Sequence, residues 1–258
     1  MTKFNTQFKS EIVQLFAGHN SLSGESASTV PDAELSNVLP KTNLTNFSEA
    51  QYETLTFNEG EVIFKEGSTP KGLYILKTGC VKIFVHRDSA RGRTTTAEYV
   101  TKLVSTGEMF GYKALIVGDH SDCFAEAVKT STVYFYPLRT VQQMMSGLSP
   151  ILTTLMKQSV ADLQYQEKIG QFHYLASVQE RIAYQIVTLA DRFGIKTNRG
   201  ISLNLKLTRN EFAQLASTIN ESLSRHLTEF KNEGLIDING KEIIILNREA
   251  LAGKSGNL

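Results

Sequence analysis

The stretch TRNEFAQLASTINESLSRHLTEF, Thr208 to Phe230, decides the fold. Its pattern divides into two short helices. Thr208 caps the first, with Glu211 three residues on to complete a capping box. Phe212, Leu215 and Ala216 then fall on one face. Ser217 and Thr218 break the pattern, and Thr218 with Glu221 behind it reads as a second cap. In the second helix Ile219, Leu223, Leu227 and Phe230 make one apolar stripe at spacings of 4, 4 and 3. The opposite face carries Asn220, Glu221, Ser224, Arg225 and Thr228. That face offers a forked cation, a carboxylate and short hydrogen-bonding groups near a helix N-terminus. A helix laid in a DNA major groove needs such groups, because base edges there present a fixed pattern of donors and acceptors.

Any amphipathic helical hairpin buries one face and solvates the other, so the hairpin alone leaves both readings open. The residues after it separate them. Gly234 ends the helix, Leu235 to Ile238 is apolar, and Asn239-Gly240 is a strong two-residue hairpin signal. Glu242 to Leu246 returns as a second strand. Two helices at a turn followed by a tight β-hairpin make a winged helix, a nucleic-acid-binding unit.

The bulk numbers bound the rest. A chain of 258 residues has room for two domains, and 41% apolar residues support real cores. A net charge of +1 excludes a strongly basic polymer-coating protein but not sequence-specific binding, which needs only a local positive stripe. Around the hairpin Lys206, Arg209, Arg225, Lys231 and Lys241 stand among nearly as many acids, so affinity should depend on a dimer engaging two sites. Two cysteines, Cys80 and Cys123, argue against a disulfide framework and against a four-cysteine metal or iron–sulfur site. No apolar run approaches the ~18 residues of a membrane span, and the N-terminus lacks an apolar signal core. The expectation is a cytoplasmic protein with no membrane partner and no cofactor.

Residues 1–50 read as an N-terminal extension, with short helices at Phe4–Phe16 and Asn43–Tyr52 and a loop at Asn20–Asp32. Residues 51–147 change rhythm. Thr54–Phe57, Glu61–Lys65, Gly72–Lys77, Cys80–His86, Thr94–Leu103, Phe124–Ala127 and Thr132–Pro137 are candidate strands. Gly60, Gly67, Gly79, Gly107 and Gly111 mark corners where positive φ or close approach is needed. This is a β-roll sensor domain, with Asp88 to Arg93 as an exposed hairpin tip.

Residues 148–175 turn helical. Ser149 caps, Pro150 takes the first helical position, and Leu148, Leu152, Leu155, Ser159, Leu163, Gln166 and Gly170 step by 3 or 4. Two uses fit this helix: pairing with a copy of itself as a dimerisation helix, or packing on the roll. Residues 176–258 hold a further helix at Ser177–Phe193, a polar loop at Gly194–Gly200, a strand at Ile201–Lys206 and the winged helix. The fold class is α+β: a cyclic-nucleotide-binding-type jelly roll, a long central helix and a C-terminal winged helix-turn-helix.

Two motifs carry a resemblance. FNEGEVIFKEGSTPKGLYILKTGCVKIF, Phe57 to Phe84, resembles the opening of a cyclic-nucleotide-binding β-roll with its glycines in place. LTRNEFAQLASTINESLSRHLTEFKNEGLIDINGKEIIIL, Leu207 to Leu246, resembles the reading domain of the same proteins. In this order, with a long helix between, they resemble the cyclic-AMP receptor protein / fumarate-nitrate-reductase regulator (Crp/Fnr) family from about residue 53 to the end. The resemblance implies a homodimeric transcription regulator, an activator working with RNA polymerase, on double-stranded DNA with an inverted repeat. The anaerobic branch carries E-x-x-S-R in its recognition helix, here Glu221, Ser224 and Arg225. It implies that Arg225 pairs with guanine, that Glu221 accepts from a cytosine amine, and that Ser224 touches the same half-site. The guanidinium fork matches guanine O6 and N7, and a carboxylate only accepts, so the chemistry agrees. Glu221 also suits a plain capping role. Asn220 stands where the cyclic-AMP branch has arginine, which implies TTGA-like half-sites. Thr208, Arg209, Thr218 and His226 are the candidate phosphate contacts, which orient but do not specify.

The effector cassette departs from the pattern. Cyclic-nucleotide binders place a glutamate on the ribose and an arginine on the phosphate. Here the stretch is Phe110, Gly111, Tyr112, Lys113, Ala114 and Leu115, and the arginine position is Asp122, followed by Cys123. A carboxylate facing a cyclic phosphate repels it, so control by cyclic AMP is not expected and the effector is unknown. Cys123 reads as a small buried residue, and His86, His120 and His173 stand singly, as ordinary residues. Two alternatives remain: a regulator that answers to a cyclic nucleotide or another small ligand, and a ligand-binding module whose winged domain contacts protein. No nucleophile–base pair, metal cluster or phosphate loop supports an enzyme.

Overall fold

The computed structural model describes residues 51–256 apart from 90–92, 146–149, 204 and 206. The expected N-terminal extension, the Ser149 cap and the middle of the hairpin tip lie outside those residues.

The roll is one antiparallel sheet. Its strands are β1 (Glu53–Phe57), β2 (Val62–Phe64), β3 (Gly72–Ser89), β4 (Arg93–Val104), β5 (Met109–Phe110) and β6 (Phe124–Pro137). They run in the order β1-β6-β3-β4, with β2 added on β6 and β5 on β3. A short helix α1 (Tyr112–Val117) separates β5 from β6, and α2 (Leu138–Met144) follows β6. All five glycines expected at corners take positive φ. Gly79 does so without reversing the chain. The segments read as two strands form the single 18-residue β3, and the two segments at the end of the roll form the single β6. Gly79 lies at the irregularity where the β3–β6 register shifts. A Cβ there would meet the Ser131 Oγ at 2.2 Å, so glycine allows the bulge and keeps both ladders running.

The long helix α3 (Pro150–Leu175) has two unlike stretches. Ile151, Leu152 and Leu155 are buried in a cluster with Leu73, Ile75 and Tyr136 of the roll. Farther along, Val160 and Leu163 are 52% and 59% exposed, and Tyr174 and Leu175 are more exposed still. The stripe expected to be one seam therefore splits. Its first part packs on the roll and its later part faces solvent.

The C-terminal unit begins with α4 (Val178–Phe193), whose N-cap Ser177 forms a full capping box with Glu180. Then come β7 (Ile195–Thr197), β8 (Gly200–Leu203), α5 (Arg209–Leu215), α6 (Asn220–Asn232), β9 (Ile236–Asn239), β10 (Glu242–Ile245) and α7 (Arg248–Gly253). The small sheet has the order β7-β8-β10-β9. The polar stretch 194–200 thus contains a strand, β7, where a loop was expected. The expected hairpin forms: Asn239 pairs with Glu242, and Gly240 takes φ 60 in the turn.

One core crosses from roll to winged helix. Phe84, Val100 and Leu103 of β3 and β4 are buried in the same cluster as Ile182, Leu189, Phe212, Leu223 and Phe230. At its edge Lys82, 6% exposed, meets Glu211 of α5 at 2.8 Å, Glu126 of β6 at 3.0 Å and Glu98 of β4 at 3.3 Å. Burial works against the lysine charge, but the hydrogen bonds and charges of Glu211 and Glu126 outweigh it and hold its pKa above the ordinary range. Beside it the Gln214 amide of α5 accepts from Val100 N and donates to Glu98 O, extending β4 with a side chain from the other domain. Arg192 of α4 donates to Glu108 at 2.8 Å and to the Leu103 carbonyl at 2.7 Å.

Removing the cation strands carboxylates of both domains against one another. Lys82→Ala is expected to destabilise the chain by about 2–3 kcal/mol, less than for a fully buried pair because Glu98 reaches water. Urea unfolding checks this, and an unchanged midpoint would contradict it.

Candidate nucleic-acid interface and effector cavity

The reading head is built from the Thr208 cap outward. Thr208 Oγ1 accepts from Glu211 N at 3.1 Å, and the Glu211 carboxylate accepts from Thr208 N at 2.7 Å, the expected box. Burial pushes the Glu211 carboxyl up, but the Lys82 ammonium and the Thr208 donors hold it below its usual range. After α5 the chain turns at Ser217, a non-glycine residue at φ 47. Arg181 of α4 holds this turn: its guanidinium donates to Ala216 O at 3.2 Å, to Ser217 O at 3.1 Å and to Ala176 O at 2.9 Å. One cation thereby satisfies carbonyls that the ends of α3 and α5 leave without helical partners.

The second cap differs from expectation. The N-cap of α6 is Ile219, with no side-chain cap hydrogen bond, and Thr218 lies one residue outside. Ile219 also leaves the apolar stripe, being 63% exposed, while Leu223, Leu227 and Phe230 are each at 2% or less. The cause is positional: α6 begins one residue later than the pattern suggested, so residue 219 has extended backbone and points away from the core face.

On the outer face of α6, Asn220, Glu221, Ser224, Arg225 and Thr228 are all exposed. Glu221, Ser224 and Arg225 stand one turn apart, at i, i+3 and i+4, so they share one face. Among the described residues neither Glu221 nor Arg225 has a salt bridge or side-chain hydrogen bond, so both are available to a partner. The candidate phosphate residues are placed differently. Thr208 is engaged in its cap, and Arg209 donates to Gly240 O at 3.2 Å, pinning the tip of the β9–β10 wing. His226 contacts Glu229 at 2.7 Å with its side chain 13% exposed. Thr218 is half-buried in the turn.

The cassette residues gather elsewhere, around a cavity of about 280 Å³ between roll and α3. Phe110, Gly111, Tyr112, Lys113, Ala114, Asp122 and Cys123 line it, whereas Leu115 is buried in the cluster beneath α1. Gly111 is the N-cap of α1 at φ 78, and a Cβ there would press on the Tyr74 ring at 2.9 Å. Burial and the Asp122 carboxylate push the Cys123 thiol up to about 12, so it stays protonated and unreactive at neutral pH.

Sequence reasoning missed the far wall of this cavity. Asp162 of α3 accepts from Tyr112 Oη at 2.5 Å, from Gln158 at 2.9 Å and from Lys102 of β4 at 3.0 Å. Burial raises the Asp162 pKa, but Lys102 and the three donors outweigh it and lower it overall. These groups tie the long helix to the roll across the cavity mouth. No local signal marks this wall, because Asp162 meets Lys102 and Tyr112 across 60 and 50 residues of sequence. Among the described residues no group of three or more His, Cys, Asp or Glu is placed to hold a metal ion. No helix among them is long and apolar enough to cross a membrane.

The fold and this face define a two-domain regulator with a DNA-binding winged helix. Residues 54–147 match the cyclic nucleotide-binding domain, and residues 180–253 match the Crp-like helix-turn-helix domain. Electron transport regulator A of Shewanella oneidensis is 27% identical over 202 residues, 77% of each chain. The fumarate and nitrate reduction regulatory protein of Escherichia coli is 25% identical over 199 residues, again 77% of each. A transcriptional regulator of the CRP/FNR family from Thermus thermophilus superposes with a TM-score of 0.63 at 21% identity, covering 79% of this chain and all of that one. The chain belongs to the Crp/Fnr family of transcription regulators. Members of this family regulate transcription and are not enzymes.

The head is also joined to α3 through a titrating group. The His173 ring lies 3.0 Å from Ser217 Oγ, and burial, then the Arg181 charge, hold its pKa below 6.5. The unfolded chain therefore takes up this proton first as pH falls. The stability is present in full above pH 6.5 and is lost as pH drops through the folded value. Thermal unfolding midpoints should decline below pH 6.5, and His173→Gln should flatten that decline. An equal slope in the variant would contradict the assignment.

Proposed function

We propose that two copies of this chain pair along α3 and place two α6 helices in successive major grooves of an inverted repeat with TTGA-like half-sites. The observation that carries this reading is the exposed set Asn220, Glu221, Ser224 and Arg225 at the start of α6. Arg225 matches the two acceptors of guanine, Glu221 accepts from a cytosine amine, and Asn220 and Ser224 complete the half-site. Thr208, Arg209, Thr218 and His226 are assigned to the phosphates, although in the free chain their side chains are engaged within the domain or half-buried. Pairing is supported by Val160 and Leu163, three residues apart and exposed, and by Gly170, which has open space where a Cβ would stand. The half-sites are then about 34 Å apart, one helical turn. The regulator acts in the cytoplasm as an activator with RNA polymerase, as its family membership supports.

Control by cyclic AMP is not part of this reading. The cavity presents Asp122 at the position of the family's phosphate-binding arginine. Of its two lysines among the described residues, Lys102 is already paired with Asp162, which leaves Lys113 on α1 as the one other cation. Its walls of Phe64, Ile83, Val85 and Met109 favour a different small ligand or none.

Fluorescence anisotropy on a duplex with inverted TTGA half-sites tests the reading head. Arg225→Ala should weaken specific binding roughly tenfold or more per half-site while leaving the fold and weak general DNA binding intact. Full selectivity in that variant would exclude Arg225 as the base reader. Cyclic AMP should leave the thermal midpoint unchanged, and a saturable rise of several degrees would contradict the cavity argument.

A further inference from the structure

Ile219 breaks two rules at one position. It occupies the N-cap of α6, where Ser, Thr, Asp or Asn would bond the free backbone N–H groups, and it makes no cap hydrogen bond. It is also 63% exposed, although β-branched aliphatic side chains are usually buried. Neither helix initiation nor the core accounts for an isoleucine here. Local rules that fail without structural compensation mark functional positions.

Its surroundings say what it meets. Asn220 and Glu221 follow directly and are exposed, and the same face continues through Ser224 and Arg225. Thr218, Asn220 and Glu221 flank the isoleucine with polar groups, so it forms no patch large enough to dock a protein. In the major groove the one apolar feature of a base edge is the thymine C5-methyl group. A lone branched side chain at the leading edge of a polar reading face matches a feature of that size.

We propose that Ile219 reads a thymine methyl group in each half-site and that the helix cap is given up for it. The inference rests on the assignment of α6 as the base-reading helix. It adds a specificity-determining residue that supplies shape where its neighbours supply hydrogen bonds.

Deoxyuridine tests it, because it removes the methyl group and keeps every groove hydrogen bond of thymine. Each half-site thymine is replaced in turn, and binding of the wild type, Ile219→Ala and Ile219→Ser is measured by anisotropy. At one position the wild type should lose roughly fourfold per half-site, the equivalent of one buried methyl-sized group. Both variants should bind thymine and deoxyuridine duplexes equally there while keeping their dependence on Arg225. Ile219→Ser should in addition raise the thermal midpoint by restoring a cap, which shows that lost selectivity is not lost folding. A wild type indifferent to every replacement, or variants with the same methyl preference as the wild type, would overturn the inference alone. A wild type with no sequence preference at all would overturn the reading of α6 as well.

Discussion

The ribbon of β3 and β4 has two working faces, and the rest of the molecule depends on that. Strand side chains alternate, so neighbours in sequence point to opposite sides. Ile83 and its partner Lys102 line the cavity, while Lys82 with Leu103 and Phe84 with Val100 face the winged helix. Cavity and reading head are therefore one sheet apart. Lys82 fixes the outer side by drawing in a carboxylate from α5, and Glu211 is at once that carboxylate and half of the box that starts α5. The first helix of the reading head takes its beginning and its seat on the roll from one side chain.

The inner side is fixed by the counterpart pair. Lys102, Asp162 and Tyr112 join β4, α3 and α1 at the cavity. A ligand that rearranged these groups would act on the long helix and on the ribbon together. Arg181 and His173 then connect the end of α3 to the turn before α6. These contacts form a short polar path from cavity to turn, each bridging two elements.

Much of this was legible in the chain because it rests on local chemistry. Thr208 with Glu211 predicts its own capping box. The corner glycines predict positive φ, and Asn239-Gly240 predicts the wing. The failures have physical reasons too. Thr218 and Ile219 satisfy the capping and stripe patterns on paper, but the turn at Ser217 starts α6 one residue later. Gly79 punctuates a strand as a bulge, which a corner signal does not distinguish from a reversal. Lys82 in a strand reads as a solvent-facing residue, since its three carboxylates come from β4, β6 and α5. The Asp162 wall was hidden in the same way, because Lys102, Tyr112 and Asp162 meet only once the sheet and the long helix are assembled. The elements follow from local rules, whereas the ion pairs that join them form between residues far apart in sequence.

The central claim is that α6 presents a base-reading surface that two copies of the chain apply to symmetric DNA. Selection of fragments from a random duplex library by the purified protein, followed by sequencing, addresses it most directly. The account predicts enrichment of an inverted repeat whose TTGA-like half-sites lie one helical turn apart. Recovery of unenriched sequence, or of single half-sites with no fixed spacing, would contradict it.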